Sequence, residues 1–297
     1  MMSMPIEMIK DTSVDALARA GFEWRVREGV RALVCAQLEA EGFANGFSTR
    51  AGGCSPMPEG ALNLAGFDED DAANINENRR RFLALFRGEW RLATCWQVHS
   101  ANVRRIVPRD ATVALDTNVE RCDALTTDAP RVLLGVQTAD CVPVILGDAR
   151  TGACAAVHAG WRGTAASIVS AALARMREEY GTRAEDVRAC IGPAANVCCY
   201  EVGREVIETF RARFDYADEL LVPTREGHAR IDLQTANRRQ LSDAGVFPER
   251  IHTAPLCTIC RDDLFFSYRR EKKLHGRTGR LLAVIGRNDE GGTMNDE

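Results

Sequence analysis

The feature that most constrains the fold is a series of short apolar runs, rich in β-branched and small residues, separated by polar or glycine-containing segments. Runs of this length and composition predict buried β-strands. The most apolar stretch, Val132 to Leu146, is interrupted by Gln137 and Asp140 and is too short to span a bilayer. The predicted strands are Val30–Gln37, Thr94–Val98, Val103–Val107, Val132–Gln137, Val142–Leu146, Ala153–Val157, Arg188–Ile191, Ile251–Ala254 and Leu281–Ile285.

Helical periodicity appears between these runs. Apolar residues recur at intervals of three and four from Thr164 to Tyr180, and Gly181 can end that helix. Weaker patterns predict helices from Asp70 or Asp71 to Phe86, around Val206 to Phe214, and over Leu233 to Ala244. Strands and helices alternate without a strict βαβ rhythm. We therefore expect an α/β (α+β) fold, a single domain of layered mixed sheets flanked by helices.

Domain limits follow from where these patterns begin and end. We predict an N-terminal extension over residues 1–40, one domain over residues 41–287, and a disordered tail over residues 288–297.

Composition narrows the classes of partner. The formal net charge of -4 and the pI near 5.9 argue against a nucleic-acid polymer as partner. The eleven cysteines are scattered and odd in number, which is atypical of a disulfide scaffold, and no signal peptide is visible near the start. We expect a cytoplasmic protein without a membrane partner. The oligomeric state is not predicted.

Three metal-binding residue types stand where predicted strands end. Cys141 follows one apolar run, His158 ends another, and His99 follows a third. If these side chains converge, they form a three-ligand zinc site with one open position, as in catalytic zinc centres, with copper as the competing metal. The alternative is that Cys141 is an inert core cysteine and His158 a hydrogen-bonded core histidine.

Other residues suggest a pocket around these three. Asp140 is an acid in an apolar run, and burying it without a partner would be costly. Two glycines and Arg162 precede the predicted start of a helix at Thr164, which indicates an anion site. Ser48 and Arg50 precede a glycine-rich loop. The interleaved aromatic and cationic residues of 265–270 could line the pocket or belong to the core and a solvated edge.

The segment Cys257–Cys260 is a single CxxC pair. Without a second pair in the sequence, it is weak support for a structural zinc site or for redox chemistry, and packing is the favoured interpretation.

Several segments together resemble the multicopper polyphenol oxidase (laccase-domain) family. Proteins of this family are also called purine nucleoside phosphorylase-like proteins or peptidoglycan editing factors. The resemblance spans about Gly46 to Ile285. It is carried by GFSTR (46–50), LNL (62–64), NR (78–79), QVH (97–99), TADCVPV (138–144), VHAGWRGT (157–164), IGP (191–193), YEVG (200–203), CT (257–258), FFSYRR (265–270) and TGR (278–280).

The resemblance implies a sandwiched, helix-flanked sheet fold and zinc bound by His99, Cys141 and His158. It also implies phosphorolysis of purine nucleosides, deamination of adenosine, cleavage of methylthioadenosine, and a copper-linked phenol oxidation. One departure from the family's pattern is Phe67, where a histidine is common. Multicopper chemistry is disfavoured by the sequence itself, because the chain has only five histidines and no His-x-His pair.

Three functional hypotheses remain at this point. In the first, zinc lowers the pKa of a bound water to about 7 for attack on a purine nucleoside. In phosphorolysis, inorganic phosphate attacks the sugar carbon instead and is held by Arg50 and Arg162 with Ser48 nearby, and Asp140 carries a proton or orients a neighbour. In the second, Cys141 is the nucleophile of an amidase that edits peptidoglycan precursors, with His158 or His99 as base. In the third, the chain is a zinc-stabilised binding module.

Overall fold

The computed structural model describes residues 14–56, 59–65, 70–111 and 121–288. Its strands, in chain order, are β1 (Phe22–Arg27), β2 (Val30–Cys35), β3 (Phe43–Ser48), β4 (Ser55–Pro56), β5 (Glu59–Ala61), β6 (Arg91–Ala93), β7 (Val103–Arg105), β8 (Ala124–Thr127), β9 (Val132–Thr138), β10 (Val142–Asp148), β11 (Ala153–Ala159), β12 (Val187–Ile191), β13 (Glu201–Gly203), β14 (Leu221–Pro223), β15 (His228–Ile231), β16 (Ile251–Thr253) and β17 (Leu281–Arg287).

The helices connect these strands. They are α1 (Val14–Arg19), α2 (Ala36–Ala40), α3 (Ala72–Leu83), α4 (Trp161–Ala165), α5 (Ile168–Tyr180), α6 (Arg204–Arg213), α7 (Leu233–Asp243) and α8 (Tyr268–His275). None of the helices that the structure describes is long and apolar enough to cross a bilayer.

Two six-stranded sheets form the body of the protein. Sheet I has the order β1-β2-β3-β17-β9-β6, and sheet II has the order β16-β12-β10-β11-β8-β7. Most neighbours are antiparallel, but β6 with β9, β7 with β8, and β12 with β16 are parallel pairs. Both sheets are therefore mixed, as the sequence predicts.

Alternation of side chains along the strands creates three apolar layers. Ile145 and Ala156 of sheet II pack with Ala283 of sheet I in the core between the sheets. The opposite face of sheet II packs with α5, α6 and α7, while the opposite face of sheet I packs with α3. Because strands such as β10 are covered on both faces, their sequences read as continuous apolar runs. The layered, helix-flanked fold class is confirmed.

The helix predicted from Thr164 to Tyr180 is wrong in its continuity. It begins earlier, at Trp161, and is divided into α4 and α5 by Ser167, whose φ of 58° is left-handed. The Thr164 carbonyl, which would bond to Ile168 in a continuous helix, instead accepts from the Gln240 side chain at 2.8 Å. A tertiary hydrogen bond from α7 thus accompanies an interruption that local periodicity does not show.

The strand predicted at Thr94–Val98 is also wrong. The strand in this region is β6, which ends at Ala93, and the segment after it keeps only an isolated bridge between Trp96 and Arg121. Val98 accordingly lies exposed.

The segment before residue 36 contributes two strands of sheet I. β1 and β2 pair as a hairpin whose two-residue turn, Glu28-Gly29, has positive φ at both positions. Positive φ at both central residues suits a tight hairpin turn, and the alternating Phe22–Arg27 segment is the sequence signal for β1. The boundary at residue 40 stays a prediction. Phe67 and residues 289–297 lie outside the described residues.

Candidate active site

The predicted ligands meet at one edge of sheet II. Cys141 immediately precedes β10, and His158 lies near the end of β11, where it faces Pro143 in the antiparallel register. His99 lies in the loop before β7, whose first residue pairs with the first residue of β8. The start of β10, the end of β11 and the loop before β7 therefore share an edge, although 42 residues separate His99 from Cys141.

The three side chains are close enough to share an ion. Cys141 Sγ lies 3.9 Å from His99 Nε2, and one ligand atom from each of the three residues lies within 4.8 Å of the others. The two imidazole rings meet edge to face with centroids 4.9 Å apart. His158 is buried, Cys141 is half-buried and His99 is exposed, so the group opens to solvent on the His99 side.

Asp123, which the sequence analysis missed, organises this group. Its carboxylate is buried and accepts from His158 Nδ1 at 2.9 Å. It also accepts from the backbone N–H groups of His99 and Ser100 at 2.9 and 2.6 Å. These contacts orient the His158 ring so that Nε2 is left for a ligand, and they hold His99 in its left-handed conformation with φ of 60°.

The ionisation of the centre follows from these contacts. Burial alone would raise the pKa of Asp123, but hydrogen bonds from His158 and Ser100 outweigh it and lower that pKa to about 2. Burial likewise opposes charge on Cys141 and His158, but their mutual attraction dominates. It lowers the pKa of the Cys141 thiol to about 6 and raises the pKa of His158 to about 9. The metal-free centre therefore holds a thiolate beside an imidazolium.

Gly160 leaves room for the centre. A Cβ at this position would lie 2.9 Å from His99 Cδ2 and 3.1 Å from Cys141 Sγ, so a side chain there would press on both. The close approach of the backbone requires glycine. The Thr164 N–H donates to the Gly160 carbonyl at 2.8 Å as the first hydrogen bond of α4, so the helix begins at Trp161 rather than at Thr164, and the anion site predicted at its start stays a prediction.

Asp140 lies beside Cys141 with its side chain engaged in a neighbouring loop. Its carboxylate accepts from Thr258 Oγ1 at 2.7 Å, from Ser267 Oγ at 3.0 Å and from the Arg269 N–H at 2.7 Å. Burial nevertheless raises its pKa. Asp140 has a φ of 86°, a strained value for a residue other than glycine, and these hydrogen bonds hold it there.

Ser48 and Arg50 have partners within the fold. The Ser48 hydroxyl is buried and accepts from the Leu282 N–H at 2.9 Å. Arg50 forms an ion pair with Glu271 at 2.7 Å and stacks over Phe266 at 4.7 Å. A role of either residue in phosphate binding stays a prediction.

Two exposed cations, Arg162 and Arg269, both act on Tyr200. The Arg162 side chain is 57% exposed and faces Glu205 only at 3.7 Å. Arg269 stacks over the ring of Tyr200 at 5.0 Å. Burial and the charge of Cys141 raise the pKa of Tyr200 to about 12, while Arg269 and Arg162 oppose that shift, so these groups all influence Tyr200. The sequence signal for Tyr200 is the YEVG segment.

The remaining histidines do not extend the centre. His228 and His252 belong to β15 and β16, and His275 ends α8. Within the part of the chain that the structure describes, the groups able to hold a metal are this centre and a separate set of four cysteines. Neither resembles the His-rich cluster that a laccase-type oxidase requires.

The donor set fits a single zinc ion. Two imidazoles and a thiolate of lowered pKa are borderline-soft ligands, and the Asp123–His158 hydrogen bond is the usual support for a metal-bound histidine. The same donors suit copper, so the ligand set does not define the metal.

Comparison with known proteins places this geometry in context. Residues 44–288 match a family described as multi-copper polyphenol oxidoreductase laccase. The chain is 37% identical over 267 residues to purine nucleoside phosphorylase YlmD of Geobacillus stearothermophilus, covering 87% of this chain and 95% of that protein. It is 39% identical over 223 residues to adenosine deaminase RL5 of an unknown prokaryotic organism, covering 73% of this chain and 84% of that protein.

Solved structures share the fold. The crystal structure of YlmD from Geobacillus stearothermophilus superposes with a TM-score of 0.82 at 35% identity, covering 91% of this chain and 99% of that chain. The Bacillus licheniformis hypothetical protein YfiH gives a TM-score of 0.82 at 30% identity, covering 90% of this chain and 99% of that chain.

Proposed function

Because this chain belongs to the multi-copper polyphenol oxidoreductase laccase family, we propose that it is a purine nucleoside-processing enzyme with a zinc centre at His99, Cys141 and His158. The observation that carries the proposal is the convergence of these three side chains beside Asp123, at an edge open to solvent. Relatives named purine nucleoside phosphorylase and adenosine deaminase supply the substrate class.

The protein's own residues prepare the centre for a metal. Asp123 stays ionised at neutral pH, fixes the His158 ring and holds the loop that carries His99. Cys141 supplies a thiolate. A zinc ion bound there supplies Lewis acidity, which polarises an oxygen or nitrogen of a reactant.

For phosphorolysis, the exposed cations provide a site for inorganic phosphate. A phosphate oxygen would form a bond to the sugar carbon C1′ while the bond from C1′ to the purine nitrogen breaks, and the base leaves with that electron pair and takes up a proton. Arg162, which is exposed, and Arg269, which stacks over Tyr200, would neutralise the phosphate. Adenosine, inosine, guanosine and methylthioadenosine are the proposed nucleosides, with the free base and ribose 1-phosphate (methylthioribose 1-phosphate from methylthioadenosine) as products.

For deamination, water would add to the purine carbon that carries the amino group, and ammonia would leave. Asp140 acts in both reactions as a positioning residue, because its carboxylate accepts hydrogen bonds from Thr258, Ser267 and Arg269 and does not face an open pocket.

We place the enzyme in a reducing cytoplasm, where its eleven cysteines, all free thiols in the structure, would stay reduced.

The test is a product assay with the purified full chain. Adenosine and inosine are each incubated with phosphate and zinc, and free base, ribose 1-phosphate and ammonia are quantified. We expect product from the wild type and loss of at least about 100-fold in Cys141→Ala, on the scale of lost electrostatic stabilisation at a reacting centre. Absence of both base and ammonia would overturn the proposal.

A second function is favoured by one specific contact set. Cys141, His158 and Asp123 form a chain of thiolate, imidazolium and carboxylate, the arrangement of cysteine amidases. Such an enzyme would open an amide of a peptidoglycan precursor: the thiolate bonds to the carbonyl carbon, the amine leaves with a proton from His158, and water releases the acid.

A chelator separates the two candidates. Under the zinc proposal, chelation abolishes turnover and added zinc restores it. Activity on an amide that persists in metal-free protein and is lost on alkylation of Cys141 would instead establish the amidase.

A further inference from the structure

Four cysteines outside the proposed active site also converge. Cys198 and Cys199 lie in the loop between β12 and β13, and Cys257 and Cys260 lie in the loop after β16. β12 and β16 are parallel neighbours, so both loops leave the same edge of sheet II. The Cys260 sulfur lies 3.1 Å from that of Cys199 and 3.5 Å from that of Cys198, and all four sulfurs lie within 4.8 Å of one another.

Apolar packing does not account for this grouping. Cys35, Cys95, Cys122, Cys154 and Cys190 belong to the apolar core between the sheets. Of the four converging cysteines, only Cys257 is buried, whereas Cys198 and Cys199 are half-buried and Cys260 is exposed. Thiols that gather at a partly exposed edge have little apolar surface to bury there, so another interaction is needed to explain their convergence.

The local backbone is shaped to present these sulfurs. The Arg261 N–H closes a turn onto the Cys257 carbonyl at 3.1 Å, which puts both cysteines of the CxxC pair on one side. An isolated parallel bridge between Ala194 and Cys257 joins the start of this turn to the loop after β12.

Hydrogen bonds outside the thiols hold the two loops together. The Thr258 N–H donates to the Ala194 carbonyl at 3.0 Å and joins the two loops, while Arg230 of β15 donates to the Cys198 carbonyl at 3.1 Å and holds the first loop to a neighbouring strand.

The spacing of the four sulfurs favours a single metal ion over an iron–sulfur cluster. A tetrahedral zinc ion with Zn–S distances of about 2.3 Å holds its sulfurs about 3.8 Å apart, within the observed range. An iron–sulfur cluster places several irons and sulfides between its cysteines and needs a wider set. Four thiolates also leave no open position, as in structural zinc sites.

We propose that Cys198, Cys199, Cys257 and Cys260 form a closed, structural zinc site that joins the loop after β12 to the loop after β16. Four thiols release their protons to solvent as the ion binds. The site supports the active centre indirectly, because Thr258, inside the CxxC pair, donates to Asp140, the neighbour of Cys141. This inference does not rest on the proposed function.

The test measures zinc in full-length variants purified under reducing conditions. His99→Ala/Cys141→Ala removes two ligands of the three-ligand centre formed with His158, called the open centre below. Cys199→Ser/Cys260→Ser removes two ligands of the proposed four-cysteine site. Cys54→Ser is the matched control, at a half-buried cysteine outside both groups. Zinc content is determined by elemental analysis. X-ray absorption at the zinc edge of the His99→Ala/Cys141→Ala protein then identifies the ligand atoms.

We expect His99→Ala/Cys141→Ala to keep one zinc ion per chain, surrounded by four sulfurs at about 2.3 Å. Cys199→Ser/Cys260→Ser should hold one ion fewer than the Cys54→Ser control. Should Cys199→Ser/Cys260→Ser fail to fold, the X-ray absorption spectrum of His99→Ala/Cys141→Ala still tests whether four sulfurs bind the zinc.

Several results would overturn the inference: no zinc in His99→Ala/Cys141→Ala, nitrogen in its ligand shell, iron with sulfide, or a disulfide among the four cysteines. Wild-type protein that forms no product from purine nucleosides, together with a four-sulfur zinc in His99→Ala/Cys141→Ala, would refute the proposed function alone.

Discussion

Asp123 is the residue on which both imidazoles depend. It binds the His158 ring directly and the His99 loop through backbone N–H groups, so one buried carboxylate sets the positions of two ligands. Hydrogen bonds from His158 and Ser100 also lower the pKa of Asp123, so its carboxylate stays ionised. A neutral side chain of equal size would keep the volume but lose most of this organisation.

We predict that Asp123→Asn weakens zinc binding by about 10- to 100-fold, the usual effect of removing a partner of a metal-bound histidine. The measurement is a competition titration against a chromogenic zinc chelator. Asp148→Asn is the matched control, because Asp148 is also buried and accepts local hydrogen bonds, but at the opposite end of β10. Equal zinc affinities in the two variants would contradict the prediction.

The sequence context of Arg50 suggests that it binds phosphate, whereas its contacts indicate a structural role. Its ion pair with Glu271 joins the end of β3 to α8, and the side chains are only 15% and 11% exposed. Removal of the arginine would leave the largely buried Glu271 carboxylate without its cationic partner.

Arg50→Met is expected to lower the free energy of unfolding by about 3 kcal/mol. Arg81→Met serves for comparison, since its ion pair with Glu77 is more exposed and should contribute much less to stability. Urea denaturation of both proteins gives the difference. A stable Arg50→Met protein with a raised KM for phosphate would instead support the phosphate-binding role.

Among the elements, the pair α4 and α5 shows how tertiary contacts reshape a local pattern. The junction at Ser167 is left-handed, which costs free energy for any residue with a Cβ. α4 nevertheless stays separate, because α7 binds it through Gln240 and through Asn237, which donates to Thr164 Oγ1 at 3.1 Å. The junction keeps Gly160 and Trp161 at the turn beside the active centre.

Ser167→Gly should therefore leave stability unchanged or raise it by up to about 1 kcal/mol, because glycine adopts a left-handed conformation without strain. Ser170→Gly, inside α5, should lower stability by about 0.5 kcal/mol through lost helix propensity. Thermal and denaturant unfolding report both values. Destabilisation of Ser167→Gly beyond that of Ser170→Gly would disagree with the left-handed assignment.

On the scale of the whole molecule, the antiparallel pairing of sheet II brings both groups of metal-binding side chains to one edge. That edge collects the start of β10, the end of β11, and the loops after β12 and β16. A metal bound only by the folded protein stabilises it by mass action, so occupancy of the open centre should appear as thermal stability.

Saturation of the open centre at 100 times its Kd would contribute about 2.7 kcal/mol of stability. A chelator should thus lower the Tm of the wild type more than that of Cys141→Ala, in which the open centre has lost a ligand. Differential scanning fluorimetry with and without chelator gives the two shifts. Identical shifts would show that His99, Cys141 and His158 do not bind the stabilising metal.

Sequence by itself determined the strands buried on both faces and singled out the three candidate ligands, because continuous apolar runs and the residue types at their ends are local properties. It did not show that Asp123 joins two histidines, since an acid in an apolar run reveals no partner. Cys198-Cys199 and Cys257–Cys260 likewise looked unrelated along the chain. Only the strand order of sheet II, which depends on packing between distant segments, decided that these residues meet.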